Sequence, residues 1–261
     1  MVTLLVGEPG IGKTSLNACF MSQEIVNSRQ RYLQCCKKID ELNSHGFNFE
    51  YPKNGVLSYA NFDFVNRTRF RFGIKGKRLI PWHMALPNED IPFETFPPYS
   101  IFHIMEGQVY WNSRKRGLRD CVSRFFENHR HNHFEIYIDV QRGGLIDANI
   151  REIAGRVIEV QESVHEYDER ERIQKTTFYC YDFNSWFEFE KYLNAGKDKK
   201  YAKQVTFEFI GCIFDCYNAF ENEAAFFENC KSKDFSDEYF DDERVVSLGM
   251  PKNYLEGKAS W

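Results

Sequence analysis

No stretch of these 261 residues approaches the roughly 18–20 consecutive apolar residues needed to cross a bilayer. The best run, Val205 to Phe220, is interrupted by Glu208 and Asp215, so no membrane-spanning helix is expected. Met1 leads straight into Val-Thr-Leu-Leu-Val, with no basic lead and no cleavage site. No signal peptide is expected, and the compartment expected is the cytoplasm. The eight cysteines contain no Cys-x-x-Cys pair, and Cys212-x-x-x-Cys216 has no matching second pair. They read as buried reduced thiols rather than as disulfides or a zinc site. Proline is scarce as well: five of the eight fall between Pro81 and Pro98, which reads as a loop, and from Lys13 to Leu42 there is neither proline nor glycine.

What is present describes a globular chain of one or two domains. Hydrophobic residues make up 43% and charged residues 28%, and 25 Phe with 14 Tyr supply large side chains for a core. The net charge of −4 argues against a general nucleic-acid coat, but it conceals a split. Residues 1–130 hold 18 Lys/Arg against 12 Asp/Glu, whereas residues 131–261 hold 16 against 26. The basic half alone makes a DNA partner admissible.

Apolar runs at Val2–Val6, Val56–Ala60, Ile101–Met105 and Phe134–Val140 read as strands. Lys13 to about Leu42, closed by His45-Gly46, reads as a long helix, and Arg114–Asn128 as a second. A short helix opens at Ile146–Ile150. Val157–Val164 and Thr176–Tyr181 form strands around the charged turn 167–172, followed by helix 185–193 and strand 205–214. Strand–helix alternation through residue 151 predicts an α/β fold with a mainly parallel sheet and a smaller β-rich C-terminal extension. The expected division is a core over 1–165, its β-rich extension over 166–230 and an acidic tail over 231–261.

One motif carries chemistry by itself. Gly7-Glu8-Pro9-Gly10-Ile11-Gly12-Lys13-Thr14 is a full G-x-x-x-x-G-K-T between a strand and a helix, and with Ser15 it is the expected nucleotide-binding segment. Glycines let the backbone N–H groups face phosphate oxygens, and the helix start adds partial positive charge. Lys13 would reach the β- and γ-phosphates, and the Thr14 hydroxyl would ligate Mg²⁺. A P-loop NTPase binding ATP with Mg²⁺ is the prediction.

Downstream segments resemble the zonula occludens toxin (Zot) family of P-loop ATPases, which includes filamentous-phage assembly proteins and is related to FtsK/HerA-type DNA translocases. Ser58-Tyr59-Ala60-Asn61 is similar to that family's second strand. Ile101-Phe102-His103-Ile104-Met105-Glu106-Gly107-Gln108, with Trp111-Asn112-Ser113-Arg114 after it, resembles the Walker B segment and a trailing Arg. His129-Arg130-His131, the strand ending at Gln141, Ile146-Asp147 through Ile150-Arg151, and Ile213 to Asn218 resemble later elements, so the likeness spans roughly residues 1–222.

The resemblance implies an ATPase that moves or packages DNA or drives extrusion of a phage-like particle, assembled as a ring. Its setting would be the cytoplasm of a bacterial host or phage-infected cell, or the periphery of the inner membrane. It assigns Glu106 to activating water, or to a second metal contact, and Gln141 to sensing the γ-phosphate. Arg114 or Arg130 would act as an arginine finger across a subunit interface. For Glu106 and Gln141 a plain strand-end carboxylate and amide remain open.

Where the family carries the Walker B Asp, this chain has Met105, and a thioether is a poor ligand for a hard cation. Asp139, on the neighbouring expected strand, could substitute only if its side chain faces the nucleotide. A nucleotide-binding scaffold with little hydrolysis therefore stays open. A small-molecule kinase fits less well, because loop 81–98 lacks the arginines of a lid.

Three other patterns have competing readings. The segment from Arg67 to Arg78 holds six positive charges and no acid, with Arg67, Arg69 and Arg71 on one face of an expected hairpin. It is either a DNA-gripping ribbon or a charged edge that resists aggregation. Arg114-Lys115-Arg116 with Arg119 is either a finger or a surface cluster. His129, His131 and His133 alternate along one extended segment, which seldom makes a tetrahedral metal site.

Overall fold

The computed structural model describes residues 1–51, 57–60, 96–114, 118, 120–171 and 173–210. The expected hairpin with Arg67, Arg69 and Arg71, most of the proline loop, the segment from Ile213 to Asn218 and the acidic tail lie outside them.

Seven strands form one sheet in the order β2-β3-β4-β1-β5-β6-β7. β1 (Val2–Val6), β2 (Ser58–Ala60), β3 (Ile101–Ile104) and β4 (Glu135–Val140) are parallel, and β5 (Ala154–Tyr167) joins β1 in the same sense. β6 (Ile173–Phe183) and β7 (Lys203–Ile210) then add antiparallel. This is the α/β architecture with a mainly parallel sheet. The β-rich extension continues the same sheet, and β5 runs through the position where core and extension were divided. Arg156 clamps β5 to β6 by a two-pronged pair with Asp182, at 2.8 and 2.9 Å.

Both faces of the parallel region are covered, which is why β1 is buried at all five positions. Period-two alternation separates the faces. Val2, Leu4, Val6, Phe102, Ile104, Ile136, Ile138 and Val140 point into one cluster with α3 (Asp120–Asn128), α4 (Ala148–Ile153) and α5 (Trp186–Asn194). Leu5, Ile158, Val160, Phe178 and Phe209 meet Leu16, Cys19 and Phe20 of α1 (Lys13–Ser44) on the other.

The helix expected over 114–128 is shorter. α3 begins at Asp120, and Arg114 stands in a turn before it. The Asn112 side-chain oxygen accepts from the Arg114 N–H at 2.9 Å, and Asn112 makes an isolated bridge with Ile146.

Candidate nucleotide site

β1, the Gly7–Thr14 loop and α1 follow one another as the motif requires. Gly12 caps α1 with φ at 101°, a left-handed conformation that glycine accepts without strain. Gly12 has no side chain with which to cap α1, and the start of such a helix carries the partial positive charge that suits phosphate. Glu8, Pro9 and Gly10 are exposed at the rim, Gly7, Ile11, Gly12, Thr14 and Ser15 are half-buried, and Lys13 is buried. The Lys13 ammonium donates to the Glu8 carbonyl at 2.9 Å. Burial pulls the Lys13 pKa below its ordinary value, while the carboxylates of Asp139 and Glu106 push it back up.

Four more side chains converge here. Asp139 lies on the α1 side of β4, opposite in alternation to Ile138 and Val140, and is fully buried. The Thr14 hydroxyl donates to its Oδ2 at 3.0 Å, and the Glu106 N–H donates to its Oδ1 at 2.6 Å. Burial raises the Asp139 pKa to about 7; the Glu106 N–H, Lys13 and Thr14 oppose that rise, and the Glu106 charge adds to it. Glu106 caps the short α2 (Gly107–Tyr110) in the left-handed region, at φ 52°, which is strained for a residue with a side chain. Its carboxylate Oε2 accepts from Gln108 Nε2 and, at 3.2 Å, from Gln141 Nε2.

The sequence therefore located Lys13, Thr14, Glu106 and Gln141 at what is one cluster. The structure resolves the condition attached to Asp139: its carboxylate faces the loop. Gln108 closes the segment that resembles Walker B but had no role attached to it; its bond to Glu106 across the tight turn gives it one. Met105 is buried, at 4% exposure.

The two finger candidates stand at opposite ends of the sheet. The turn before Arg114 is fastened to the loop after Gln141, by Ser113 Oγ to the Gly144 carbonyl at 2.8 Å and Ser113 N–H to the Leu145 carbonyl at 2.9 Å. Arg114 is thus exposed on the phosphate-loop side. Arg130 lies instead beside Met1 and Glu135, where β1 and β4 begin, and lines a cavity of about 780 Å³ there. His129 is buried and bonded to the Phe126 carbonyl, and His133 stacks on Tyr99 with centroids 4.5 Å apart.

The oxygens present suit Mg²⁺. It binds through one or two carboxylates together with phosphate oxygens and waters, and Thr14 and Asp139 place a hydroxyl and a carboxylate side by side. No helix among the described residues is long and apolar enough to cross a membrane.

No family model matches the chain, and no curated protein matches it. Among solved structures, the chain is similar to the N-terminal domain of zonular occludens toxin from Neisseria meningitidis. The two are 15% identical with a TM-score of 0.42, over 83% of this chain and 98% of that one. It is also similar to B204, the DNA-packaging ATPase from Sulfolobus turreted icosahedral virus, at 11% identity and TM-score 0.33 over 70% and 92%. A third similar structure is the genome packaging NTPase B204 from Sulfolobus turreted icosahedral virus 2 with ATP-gammaS, at 12% identity and TM-score 0.31 over 65% and 78%.

Proposed function

We propose that this protein binds ATP with Mg²⁺ and hydrolyses it, and that hydrolysis drives DNA translocation, packaging or virion assembly in a phage or virus. The observation that carries the nucleotide chemistry is the linked set Thr14–Asp139–Glu106 at the start of the helix that follows the phosphate loop. The choice of DNA or particle assembly as the work done rests on the motif resemblance to the Zot family.

Each side chain has a task that its position allows. Lys13 exchanges the Glu8 carbonyl for the β- and γ-phosphate oxygens. The Thr14 hydroxyl, already turned toward Asp139, contributes to the cation site. Bound Mg²⁺ neutralises charge on the phosphate oxygens and aligns them for displacement. Glu106 orients the attacking water and accepts its proton. Gln141 bonds Glu106 at rest, and its amide is the group that senses the γ-phosphate. Arg114 is the finger candidate on the correct side of the sheet, acting on a neighbouring subunit in a ring.

A second reading is favoured by one feature. Glu106 is held by two amides, and Met105 offers no hard ligand, so a nucleotide-gated scaffold with slow turnover is the alternative. Steady-state phosphate release with and without DNA separates the two. Turnover stimulated by DNA supports the motor, and nucleotide binding without turnover supports the scaffold. Mixing inactive Lys13→Ala with inactive Arg114→Ala checks the ring: recovered turnover requires an arginine acting between subunits.

A further inference from the structure

We propose that the carboxylate holding the divalent cation sits on β4, at Asp139, and not at the end of β3. This rests on the nucleotide-site reading above and specifies its metal contact. β3 ends at Ile104, and Met105 follows it with only a thioether. β4 lies between β3 and the phosphate-loop strand β1. In the β1–β4 register Asp139 is level with Leu5, two residues before Gly7. Alternation along β4 sends Ile136, Ile138 and Val140 into the opposite apolar cluster and leaves Asp139 on the α1 side, level with the start of that helix.

The contacts are those of a metal-side carboxylate. Oδ2 lies 3.0 Å from the Thr14 hydroxyl, which the P-loop motif assigns to the cation. Oδ1 is fixed by the Glu106 N–H at 2.6 Å, and Glu106 itself holds a left-handed φ of 52° beside it. A fully buried carboxylate among strand residues is costly, and its partners here are a hydroxyl, an amide N–H and the nearby Lys13 charge. One side chain thus couples the cation side of the site to the backbone of the residue that orients water.

The test measures affinity for a fluorescent ATP analogue in EDTA and then with Mg²⁺, for wild type, Asp139→Asn and Asp139→Cys, with circular dichroism to confirm folding. Wild type is expected to bind in EDTA and to gain at least about tenfold with Mg²⁺. Asp139→Asn keeps the EDTA affinity and loses the gain. Asp139→Cys also loses the gain with Mg²⁺ but recovers it with Cd²⁺, which accepts thiolate, beyond any Cd²⁺ effect in Asp139→Asn. A full Mg²⁺ gain in Asp139→Asn overturns the assignment, as does a Cd²⁺ response no larger in Asp139→Cys than in Asp139→Asn. Wild type that binds in EDTA without any Mg²⁺ gain also overturns it. Absence of nucleotide binding in wild-type protein would instead remove the underlying reading.

Discussion

Gln141 and Glu106 face each other across the ends of β4 and β3, the amide donating to the carboxylate at 3.2 Å. This places the expected water-activating group and the expected phosphate sensor in one hydrogen bond. Replacing Glu106 by Gln keeps the shape and removes the base. Turnover is expected to fall by at least about a hundredfold, with ATP affinity within a few-fold of wild type. Single-turnover phosphate release alongside equilibrium binding checks this. Equal turnover would assign Glu106 a structural role.

Lys13 is buried beneath the loop and has the Glu8 carbonyl as its resting partner. Lys13→Ala removes the one ammonium available to the phosphates in the loop motif. ATP affinity is expected to drop by at least about tenfold, on the scale of a lost charge-assisted bond. Calorimetric titration with ATP decides it, and unchanged affinity would refute nucleotide binding at this loop.

Gly107 has no room for a side chain. A Cβ there would fall 2.3 Å from Cγ2 of Ile138, a core residue of β4. Gly107→Ala is expected to destabilise the fold by about 1–3 kcal/mol through overpacking. It is also expected to shift Glu106 and so to lower turnover. Urea denaturation measures the first effect and phosphate release the second.

His103 supplies a pH dependence. It is fully buried, stacks on Tyr137, and its Nδ1 meets Asn17 Oδ1 at 2.8 Å. The Asn17 amide donates to the Ile104 carbonyl, so Oδ1 is the acceptor and Nδ1 carries the proton; Nε2 has no partner among the described residues. Burial lowers the His103 pKa to about 3. The unfolded chain protonates near the ordinary imidazole value of about 6.5. Between those values the unfolded state binds more protons, so stability falls as pH falls, by up to about 1.4 kcal/mol per pH unit from this group. Denaturant titrations at pH 6.5 and pH 5 are expected to show a larger loss in wild type than in His103→Phe, by about 1–2 kcal/mol. Equal losses would mean that His103 titrates normally.

Much of the fold was legible because its signals are local. The phosphate loop follows an apolar strand and opens a helix that has no proline or glycine before His45-Gly46, and those residues do end it. Asp139 was not legible in the same way. Alternation says that it opposes Ile138, but only the pairing of β4 with β1 says that its face is the α1 face. Glu106 hides a second kind of information, since no periodicity predicts a left-handed glutamate. Arg114 stands in a turn ahead of α3 rather than in its first turn, and Asn112, two residues before it, pairs with Ile146, more than thirty residues on. Long-range pairing, rather than propensity, decided each of these.

The close fit at Gly12 ties the phosphate loop to strands far beyond the motif in sequence. A Cβ there would stand 2.9 Å from Ser163 Oγ and 3.1 Å from a Phe178 ring carbon, so β5 and β6 form the floor under the loop. Phe178, Cys180 and Phe209 also seal the apolar layer beneath Leu5, Leu16 and Cys19. A fragment ending near residue 165 would keep every residue of the G-x-x-x-x-G-K-T motif and Ser163, and would lose the Phe178 side of that floor. A cloned piece that is to keep the motif's packing includes the antiparallel strands β6 and β7.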